Sequence, residues 1–375
     1  DSNTGAYCRA RHKLTEGLVQ RLVRETAEAC EAQTPDSWLW RNRHVWLVDG
    51  TTVSMPDTPE NQAAYPQPPA QKPGLGFPLL RLVALVSLAT GLLRDAAVGP
   101  YAGKEAGETA LLRELFGRLQ AGDVVLADRF YCGWFMIALL QELNIDLVVR
   151  LHQLRKADFS RGQRLGSGDH IVEWPRPPRP DWMDEATYAR MPATLRVREV
   201  EVQVKEVGFR TQSLVVVTTL TDAAETPRDA LADLYRQRWL VELDIRSIKS
   251  MLSLDVLRCK TPQMVRKELY TGLLAYNLIR QTMLQAALAA DVSPRSLSFT
   301  AALQTLAAAG MVAAIGMGDL SLLIQMKLQH IASHRVGHRP GRIEPRAIKR
   351  RPKPHKLLTE PRPLARARLL TQQSS

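Results

Sequence analysis

The order of apolar segments between residues 44 and 150 constrains the fold more than any other feature of this chain. Their period and length predict, in chain order, a strand at 45–48 with an extended piece at 51–55, a hairpin of 79–88 and 92–98, a helix at 105–119, a strand at 123–127, a helix at 133–143 and a strand at 145–150. Three strands are thus followed by alternating helices and strands. This succession predicts an α/β domain in which helices flank one mixed sheet.

The same succession is that of an RNase H-like core, which we expect to comprise residues 44–150 and 213–255. Residues 151–212 are polar and Pro-rich with short alternating segments, so we expect a β-rich insertion there. A long helical stretch is predicted from Arg228 to about Leu252. The expected divisions of the chain are a helical N-terminal segment at 1–43, the RNase H-like domain at 44–255, a C-terminal helical region at 256–330 and a basic Pro-rich tail at 331–375. The N-terminal segment carries an apolar helical stripe at Leu14, Leu18, Leu22 and Val23, which Ala27 to Ala32 continues.

The net charge of +12 is concentrated near the C-terminus. Between Arg335 and Arg368, twelve Lys and Arg residues stand against two acids, so this segment carries +10 and the rest of the chain +2. Such a tail suits a polyanion such as nucleic acid, because each neutralised phosphate releases counterions. A solubilising or unstructured tail is the alternative, and a membrane surface fits less well because the tail has little apolar content. The four cysteines form no CxxC pair, which argues against a zinc site or a disulfide framework and favours a reducing, cytoplasmic compartment.

Two acidic residues follow predicted apolar strands. We expect Asp49 and Asp128 each to stand at the C-terminal end of its strand. One such residue alone is compatible with a turn, and Asp49-Gly50 is a turn signal by itself. Two of them on adjacent central strands would converge at one sheet edge, where open α/β sheets bind ligands. Close carboxylates repel each other, so the pair predicts a site for Mg²⁺ or Mn²⁺ suited to phosphoryl transfer.

A third carboxylate, Glu242, lies on the predicted long helix. Arg238 precedes it by four residues, Lys249 follows it by seven, and Tyr235 stands one turn before Arg238, so we expect all four on one helical face. That face combines a carboxylate for metal with two cations for phosphate. A solvated salt-bridge stripe is the alternative, although apolar neighbours favour a largely buried helix. These neighbours are Trp239, Leu240, Leu243 and Ile245.

At these residues the chain resembles the DDE transposases of the bacterial insertion-sequence type 4 family. The pattern Tyr-x-x-Arg-x-x-x-Glu-x-x-x-x-x-x-Lys, which runs from Tyr235 to Lys249, is similar to that family's signature at every position. Residues 48–51, Val-Asp-Gly-Thr, resemble its first acidic motif, and residues 126–131, Leu-Ala-Asp-Arg-Phe-Tyr, resemble its second. Asp-Gly-Thr alone is a weak signal, because haloacid dehalogenase-type phosphatases also use it. The resemblance extends over nearly the whole chain.

The resemblance implies a role for each motif residue. Asp49, Asp128 and Glu242 would be the ligands of Mg²⁺ or Mn²⁺. DNA phosphates would be held by Arg238, Lys249 and Tyr235. Some relatives stack an insertion tryptophan on a flipped base, for which Trp174 is the candidate, with ordinary packing as the alternative. Arg129 would contact a phosphate or pair with a nearby carboxylate.

The function implied is DNA transposition, in which the ends of an element are cut and joined to target DNA. We expect DNA as the partner, no membrane association, a homodimer because two ends must be joined, and a bacterial cytoplasm with nucleoid association. Family members carry a helical DNA-binding region before the first acidic motif, and the 48 residues before Asp49 make it look truncated here. Two alternatives are a structure-specific DNA nuclease and an inactive transposase-derived DNA-binding protein.

Overall fold

The computed structural model describes residues 5–103, 106–203, 213–316, 319–337 and 358–373. Its strands are β1 (Val45–Ser54), β2 (Leu79–Ser87), β3 (Leu93–Pro100), β4 (Val124–Ala127), β5 (Asp146–Arg150), β6 (Gln163–Gly166), β7 (Asp169–Pro175), β8 (Thr194–Gln203) and β9 (Ser213–Thr218). The helices up to the insertion are α1 (Gly5–Lys13), α2 (Glu16–Glu31), α3 (Pro59–Ala64), α4 (Glu108–Glu114), α5 (Trp134–Glu142) and α6 (Glu185–Arg190). The later helices are α7 (Arg228–Gln237), α8 (Leu240–Arg246), α9 (Pro262–Ala289), α10 (Phe299–Ala314), α11 (Leu320–Ser333) and α12 (Arg362–Gln373).

All of these strands belong to one mixed sheet with the order β3-β2-β1-β4-β5-β9-β8-β7-β6. The first three form an antiparallel meander, β4 and β5 run parallel to β1, and β9 returns antiparallel to β5. The β-rich insertion continues the sheet through β8, β7 and β6 instead of forming a separate layer. The predicted α/β fold, with helices flanking a mixed sheet, is therefore confirmed.

The two faces of the sheet bury separate apolar cores, because successive side chains of a strand point to opposite faces. On β1, Leu47 and Val53 belong to the core that packs against α9, whereas Trp46 and Val48 belong to the core that packs against α5. Both cores are continuous across the central strands. Each face is thus shielded by helices, and only the ends of the strands remain open for a site.

The first strand differs from its prediction. β1 runs unbroken from Val45 to Ser54 because it pairs with β2 along nearly its whole length, from Trp46 opposite Ser87 to Ser54 opposite Leu79. Asp49 therefore lies in the middle of a strand, and the expectation that it ends one is wrong.

The N-terminal segment is helical as predicted, and part of its apolar stripe is buried. The buried side chains of α2 are Val19, Val23, Ala27 and Cys30, and this face packs on α9. Leu14 and Leu22 are 37% and 39% exposed, so they do not belong to the buried stripe. Thr15 caps the N-terminus of α2, where its side-chain hydroxyl accepts a hydrogen bond from the backbone N–H of Leu18.

The C-terminal region is helical, with α9, α10 and α11 in succession. Of the basic tail, residues 338–357 lie outside the described residues. Its last part forms α12, where Arg362 donates to Asp57 and covers the ring of Phe77. Within the described ranges, no helix is both long and apolar enough to cross a membrane.

Candidate functional site

Two carboxylates stand side by side where β4 ends. β1 and β4 are parallel, with Leu47 opposite Leu126, and Asp49 and Asp128 each come two residues later. Adjacent strands lie about 4.8 Å apart, so the register brings the two aspartates to neighbouring positions on one face. Asp128 follows the last residue of β4 and begins a short 3₁₀ turn, where its Oδ1 accepts from the N–H of Phe130 at 2.8 Å. The pairing of the first two acids thus follows from strand register alone.

The environment of Asp49 opposes its ionisation. Burial raises the pKa of Asp49 to about 6, and the charges of Asp128 and Glu108 act in the same direction. The N–H of Gly50, which donates to Asp49 Oδ1 at 2.8 Å, and the guanidinium of Arg238 lower this pKa. A bound cation would stabilise the ionised form of this carboxylate, because its charge offsets both the burial and the repulsion from the other acids.

Glu108 is a further acid in this neighbourhood, and no sequence motif points to it. It lies in the first turn of α4, and its carboxyl carbon would be 2.3 Å from a side-chain carbon built on Gly50. Glycine at position 50 therefore leaves the space that the Glu108 side chain fills. The hydroxyl of Tyr131 donates to Glu108 Oε2 at 3.4 Å, and burial followed by the charge of Asp128 raises the pKa of Glu108. Only the three-dimensional fold reveals this contact, because 58 residues separate Glu108 from Gly50.

The third predicted acid lies on a broken helix. The helical stretch predicted from 228 to about 252 is present, and it consists of α7, α8 and a π-helical turn at Ser247–Met251. The break falls at Arg238 and Trp239, which join α7 to α8. Arg238 Nη2 nevertheless donates to Glu242 Oε1 at 2.7 Å across the break, and its charge also acts on Asp49. Arg238 thus lies between the third carboxylate and the first.

The other two residues of the signature contact the same neighbourhood. Burial raises the pKa of Tyr235 to about 12, so its phenol keeps its proton at neutral pH, and the charges of Arg238 and Asp128 act on it. Lys249 Nζ donates to Thr51 Oγ1 at 3.1 Å and to the carbonyl oxygen of Thr52 at 2.8 Å. Lys249 therefore fastens the π-helical turn to β1, just beyond Asp49.

The chemistry of these donors fits a hard divalent cation. Carboxylate oxygens are the ligands that Mg²⁺ and Mn²⁺ prefer, and Asp49 and Asp128 supply them from adjacent strands. As the side chains stand, the described residues contain no group of three or more His, Cys, Asp or Glu residues able to hold a metal ion. Glu242 is 40% exposed at its side chain and is engaged by Arg238. The aspartate pair is thus the preformed part of the site.

Exposed side chains surround the acids. Arg129 directly follows Asp128, is exposed, and has no ion-pair partner among the described residues, so it is available to a phosphate. Phe130 is 52% exposed and Trp239 53% exposed. Large aromatic side chains are seldom left in water without a partner, and these two flank Asp128 and Arg238 in the chain. The expectation that Trp239 belongs to the buried neighbours of Glu242 is therefore wrong.

Trp174 occupies a packing position. It is 4% exposed, its Nε1 donates to Glu199 Oε1 at 3.0 Å, and its carbonyl oxygen accepts from Trp134 Nε1 at 2.9 Å. The guanidinium of Arg155 lies 4.1 Å from the centre of its ring. A base has no access to this ring while these contacts persist. The packing alternative accounts for Trp174, whereas Trp239 is exposed.

Comparisons with known proteins place the chain in a family. Residues 40–278 match the family described as Transposase DDE domain. Over 288 residues the chain is 31% identical to the transposase InsG for insertion sequence element IS4 of Escherichia coli (strain K12), an alignment that covers 75% of this chain and 61% of InsG. It is 25% identical over 290 residues to the probable transposase for insertion sequence element IS5377 of Geobacillus stearothermophilus, covering 75% of this chain and 68% of that protein.

A solved structure with a similar chain is the piggyBac transposase synaptic complex with hairpin DNA. It aligns with a TM-score of 0.43 at 10% identity, over 85% of this chain and 65% of that one. The chain thus spans about three fifths of the length of InsG, 61%.

Proposed function

Because the chain belongs to the transposase DDE domain family, we propose that it is a DNA transposase in which Asp49, Asp128 and Glu242 hold divalent metal ions. It would cut DNA at the ends of an element and join those ends to a target. The observation that carries the proposal is the parallel register of β1 and β4, which sets Asp49 beside Asp128. Burial and the neighbouring carboxylates oppose the ionisation of Asp49, and a bound cation would offset both effects.

The metal ligands would come from three elements. Asp49 on β1 and Asp128 after β4 would bind first, and Glu242 on α8 would complete the set after releasing Arg238. When bound, Mg²⁺ or Mn²⁺ supplies the positive charge that assists an attacking oxygen and stabilises a leaving one in in-line phosphoryl transfer. Glu108 would stay close to the two aspartates, and its negative charge would increase the affinity of the site for a cation.

The reaction would proceed in two steps at one site. In the first, a water oxygen attacks a backbone phosphorus at the end of the element, and the bond from phosphorus to the 3′ oxygen breaks. This leaves a 3′-hydroxyl on one side and a 5′-phosphate on the other. In the second, that 3′-hydroxyl attacks a target phosphorus, and a target 3′-hydroxyl leaves. Each step makes one phosphorus–oxygen bond and breaks one, so no further reactant is needed.

The remaining signature residues would hold the DNA backbone. The guanidinium of Arg238 would exchange Glu242 for a phosphate, since both present the paired oxygens that arginine binds in a bidentate manner. The phenolic O–H of Tyr235 would donate a hydrogen bond to a phosphate oxygen, because the raised pKa keeps the phenol protonated. Lys249 would act mainly by fastening the turn to β1, and its ammonium group would add charge near the phosphate. Arg129 is free to contact a phosphate one residue after Asp128.

We propose that two copies act together on DNA, because two ends must be joined to one target. The basic tail would add contacts with phosphates outside the site, since between Arg335 and Arg368 the chain carries +10.

The test uses the 375-residue chain with duplexes that carry the terminal sequences flanking its coding region, and a supercoiled plasmid as target. We expect Mn²⁺- or Mg²⁺-dependent cleavage, and joining of pre-cut ends to the plasmid. Asp128→Asn and Glu242→Gln are expected to abolish both steps while DNA binding stays largely intact. The control is Asp233→Asn on α7, which removes only an exposed pair with Arg236 and should leave both steps unchanged.

Each alternative function gives a distinct result in this test. Metal-dependent nicking without joining of pre-cut ends would identify a structure-specific nuclease. DNA binding with no cleavage in any divalent metal would identify an inactive transposase-derived protein. Full activity of Glu242→Gln would remove Glu242 from the site and overturn the proposed ligand set.

A further inference from the structure

The helix that carries Glu242 has a second acid on its other side. Asp244 follows Glu242 by two residues on α8, which turns it by about 200° around the helix axis. Its side chain is 0% exposed, whereas that of Glu242 is 40% exposed. Glu242 thus faces the open neighbourhood of Asp49, and Asp244 points back into the protein.

Asp244 is held there by three side chains. One nitrogen of Arg295 contacts both carboxylate oxygens: Nη1 donates to Asp244 Oδ1 at 2.9 Å and to Oδ2 at 2.7 Å. Arg280 Nη2 also donates to Oδ1, and so does the hydroxyl of Tyr276 at 3.1 Å. We call these four residues the Asp244 cluster. Of the two arginines, Arg280 is buried and Arg295 is 13% exposed at its side chain.

The Asp244 cluster joins α8 to two other parts of the fold. Arg280 and Tyr276 belong to the long helix α9, on which the α2 and α11 helices pack. Arg295 also donates to the backbone carbonyl oxygens at the end of β2, 2.5 Å to Ser87 and 2.8 Å to Leu88. The Tyr276 hydroxyl is 2.7 Å from the carbonyl oxygen of Gly91, in the turn between β2 and β3. The cluster therefore ties α8 to α9 and to the hairpin that pairs with β1.

The α8 helix needs such an anchor. It has seven residues. The regular α-helix is interrupted at Trp239, just before α8 begins, and a π-helical turn follows α8. A helix of this length is unstable by itself and takes its orientation from what it packs against. Burying charged groups is also expensive, and apolar side chains of similar size often stabilise a fold as well. Beyond any effect on stability, the cluster orients α8, because its hydrogen bonds fix the rotation of the helix about its own axis.

We propose that Asp244 is a positioning residue for Glu242, and that the Asp244 cluster holds α8 in the rotation that lets Glu242 join Asp49 and Asp128 at the metal. The inference rests on the proposed function, in which Glu242 is a metal ligand. Asp244 itself is too deeply buried to touch DNA or metal. Loss of the cluster would allow α8 to rotate or fray, and Glu242 would lose its fixed approach to the ions.

The test compares two buried ion pairs of similar kind. Asp244→Asn breaks the cluster, and the matched control Asp169→Asn breaks the pair of Asp169 with Arg198, which lies far along the sheet on β7 and β8. Both variants should lose stability in urea. The first readout is amide hydrogen exchange of residues 240–246 without metal, expected to be faster in Asp244→Asn only. The second is Mn²⁺ affinity by calorimetry, expected to fall about 10- to 100-fold in Asp244→Asn only, as for partners that orient metal ligands.

Three results would overturn the proposal. They are unchanged exchange in α8 of Asp244→Asn, unchanged Mn²⁺ affinity of that variant, and an equal loss of affinity in Asp169→Asn, which would make the effect one of general stability. Should Asp244→Asn not fold, Arg295→Lys keeps the charge but loses the paired contact, and the same readouts apply. If the unmodified chain binds no Mn²⁺ through Asp49 and Asp128, the proposed function fails, while the exchange of α8 still decides whether the cluster anchors it.

Discussion

The raised pKa of Asp49 makes the metal-free protein less stable than it would be with a neutral side chain at this position. Replacing Asp49 by asparagine keeps the size of the side chain and removes the buried charge. We therefore expect Asp49→Asn to stabilise the metal-free chain at neutral pH while it abolishes metal binding. This opposition of stability and function is common at sites that hold charge for catalysis.

The size of the effect follows from the shift. Burial raises the pKa of Asp49 from an ordinary 3.8 to about 6. A shift of about two pKa units corresponds to about 3 kcal/mol at most between the two charge states. Asp49 is only half-buried, so solvent screens part of this energy, and we expect a gain in the free energy of unfolding of about 1–2 kcal/mol.

The stability that Asp49→Asn gains over the unmodified chain should increase as the pH rises. Between about pH 4 and pH 6 the folded chain keeps a proton on Asp49 that the unfolded chain has released. The stability contributed by this group is therefore full at low pH and is lost as the pH rises through about 6. Asp49→Asn lacks this dependence, so the two proteins should be equally stable below about pH 4 and differ most above pH 6.

Urea unfolding at pH 4, 5, 6 and 7.5 measures this difference, provided that the slope with urea is unchanged. The control is Asp184→Asn, at an exposed helix start where hydrogen bonds from Thr187 lower the aspartate pKa, so no gain at neutral pH is expected. Adding Mn²⁺ should stabilise the unmodified chain by mass action and leave Asp49→Asn unaffected. A loss of stability in Asp49→Asn at pH 7.5, or a gain independent of pH, would refute the reasoning.

Three further expectations concern residues around the site. Glu108→Gln removes a charge that raises the pKa of Asp49, so Mn²⁺ binding should persist to lower pH; a titration in which the acid limb does not move would contradict this. Trp174→Phe leaves Glu199 without one donor and should cost about 1–2 kcal/mol in urea with cleavage unchanged, whereas lost cleavage in a stable variant would return Trp174 to the site. Deleting residues 338–375 should weaken DNA binding and flatten its dependence on salt, measured by fluorescence anisotropy; an unchanged slope would make the tail irrelevant to DNA.

The succession of strands along the chain and the acidic motifs were predictable from the sequence, because both depend on local patterns. Short apolar runs between turn residues marked the central strands, and β4 and β5 appear where the pattern placed them. The pairing of Asp49 with Asp128 followed from two strands of one parallel sheet. The four-residue spacing predicted that Arg238 and Glu242 lie on one helical face. They form a 2.7 Å hydrogen bond even though the α-helix is interrupted between them.

Features that depend on distant contacts were not predictable. β1 continues past Asp49 because β2 pairs with it, and a Gly-Thr sequence gives no sign of that partner. The face that α2 buries is determined by α9, more than 200 residues later, so the sequence alone does not show that Val23 is buried while Leu22 is exposed. Glu108 reaches the site only because Gly50 leaves room for it. The role of Asp244 depends on two arginines from other elements, although an acid between Leu243 and Ile245 is unusual in an apolar stretch.

The most direct test of the central claim is the location of Mn²⁺ by anomalous diffraction from crystals of the chain bound to DNA ends. We expect a peak with carboxylate oxygens of Asp49 and Asp128 within about 2.3 Å, and Glu242 turned from Arg238 towards the ions. A peak held by other residues, or Glu242 still bonded to Arg238 with the ions in place, would contradict the proposed site.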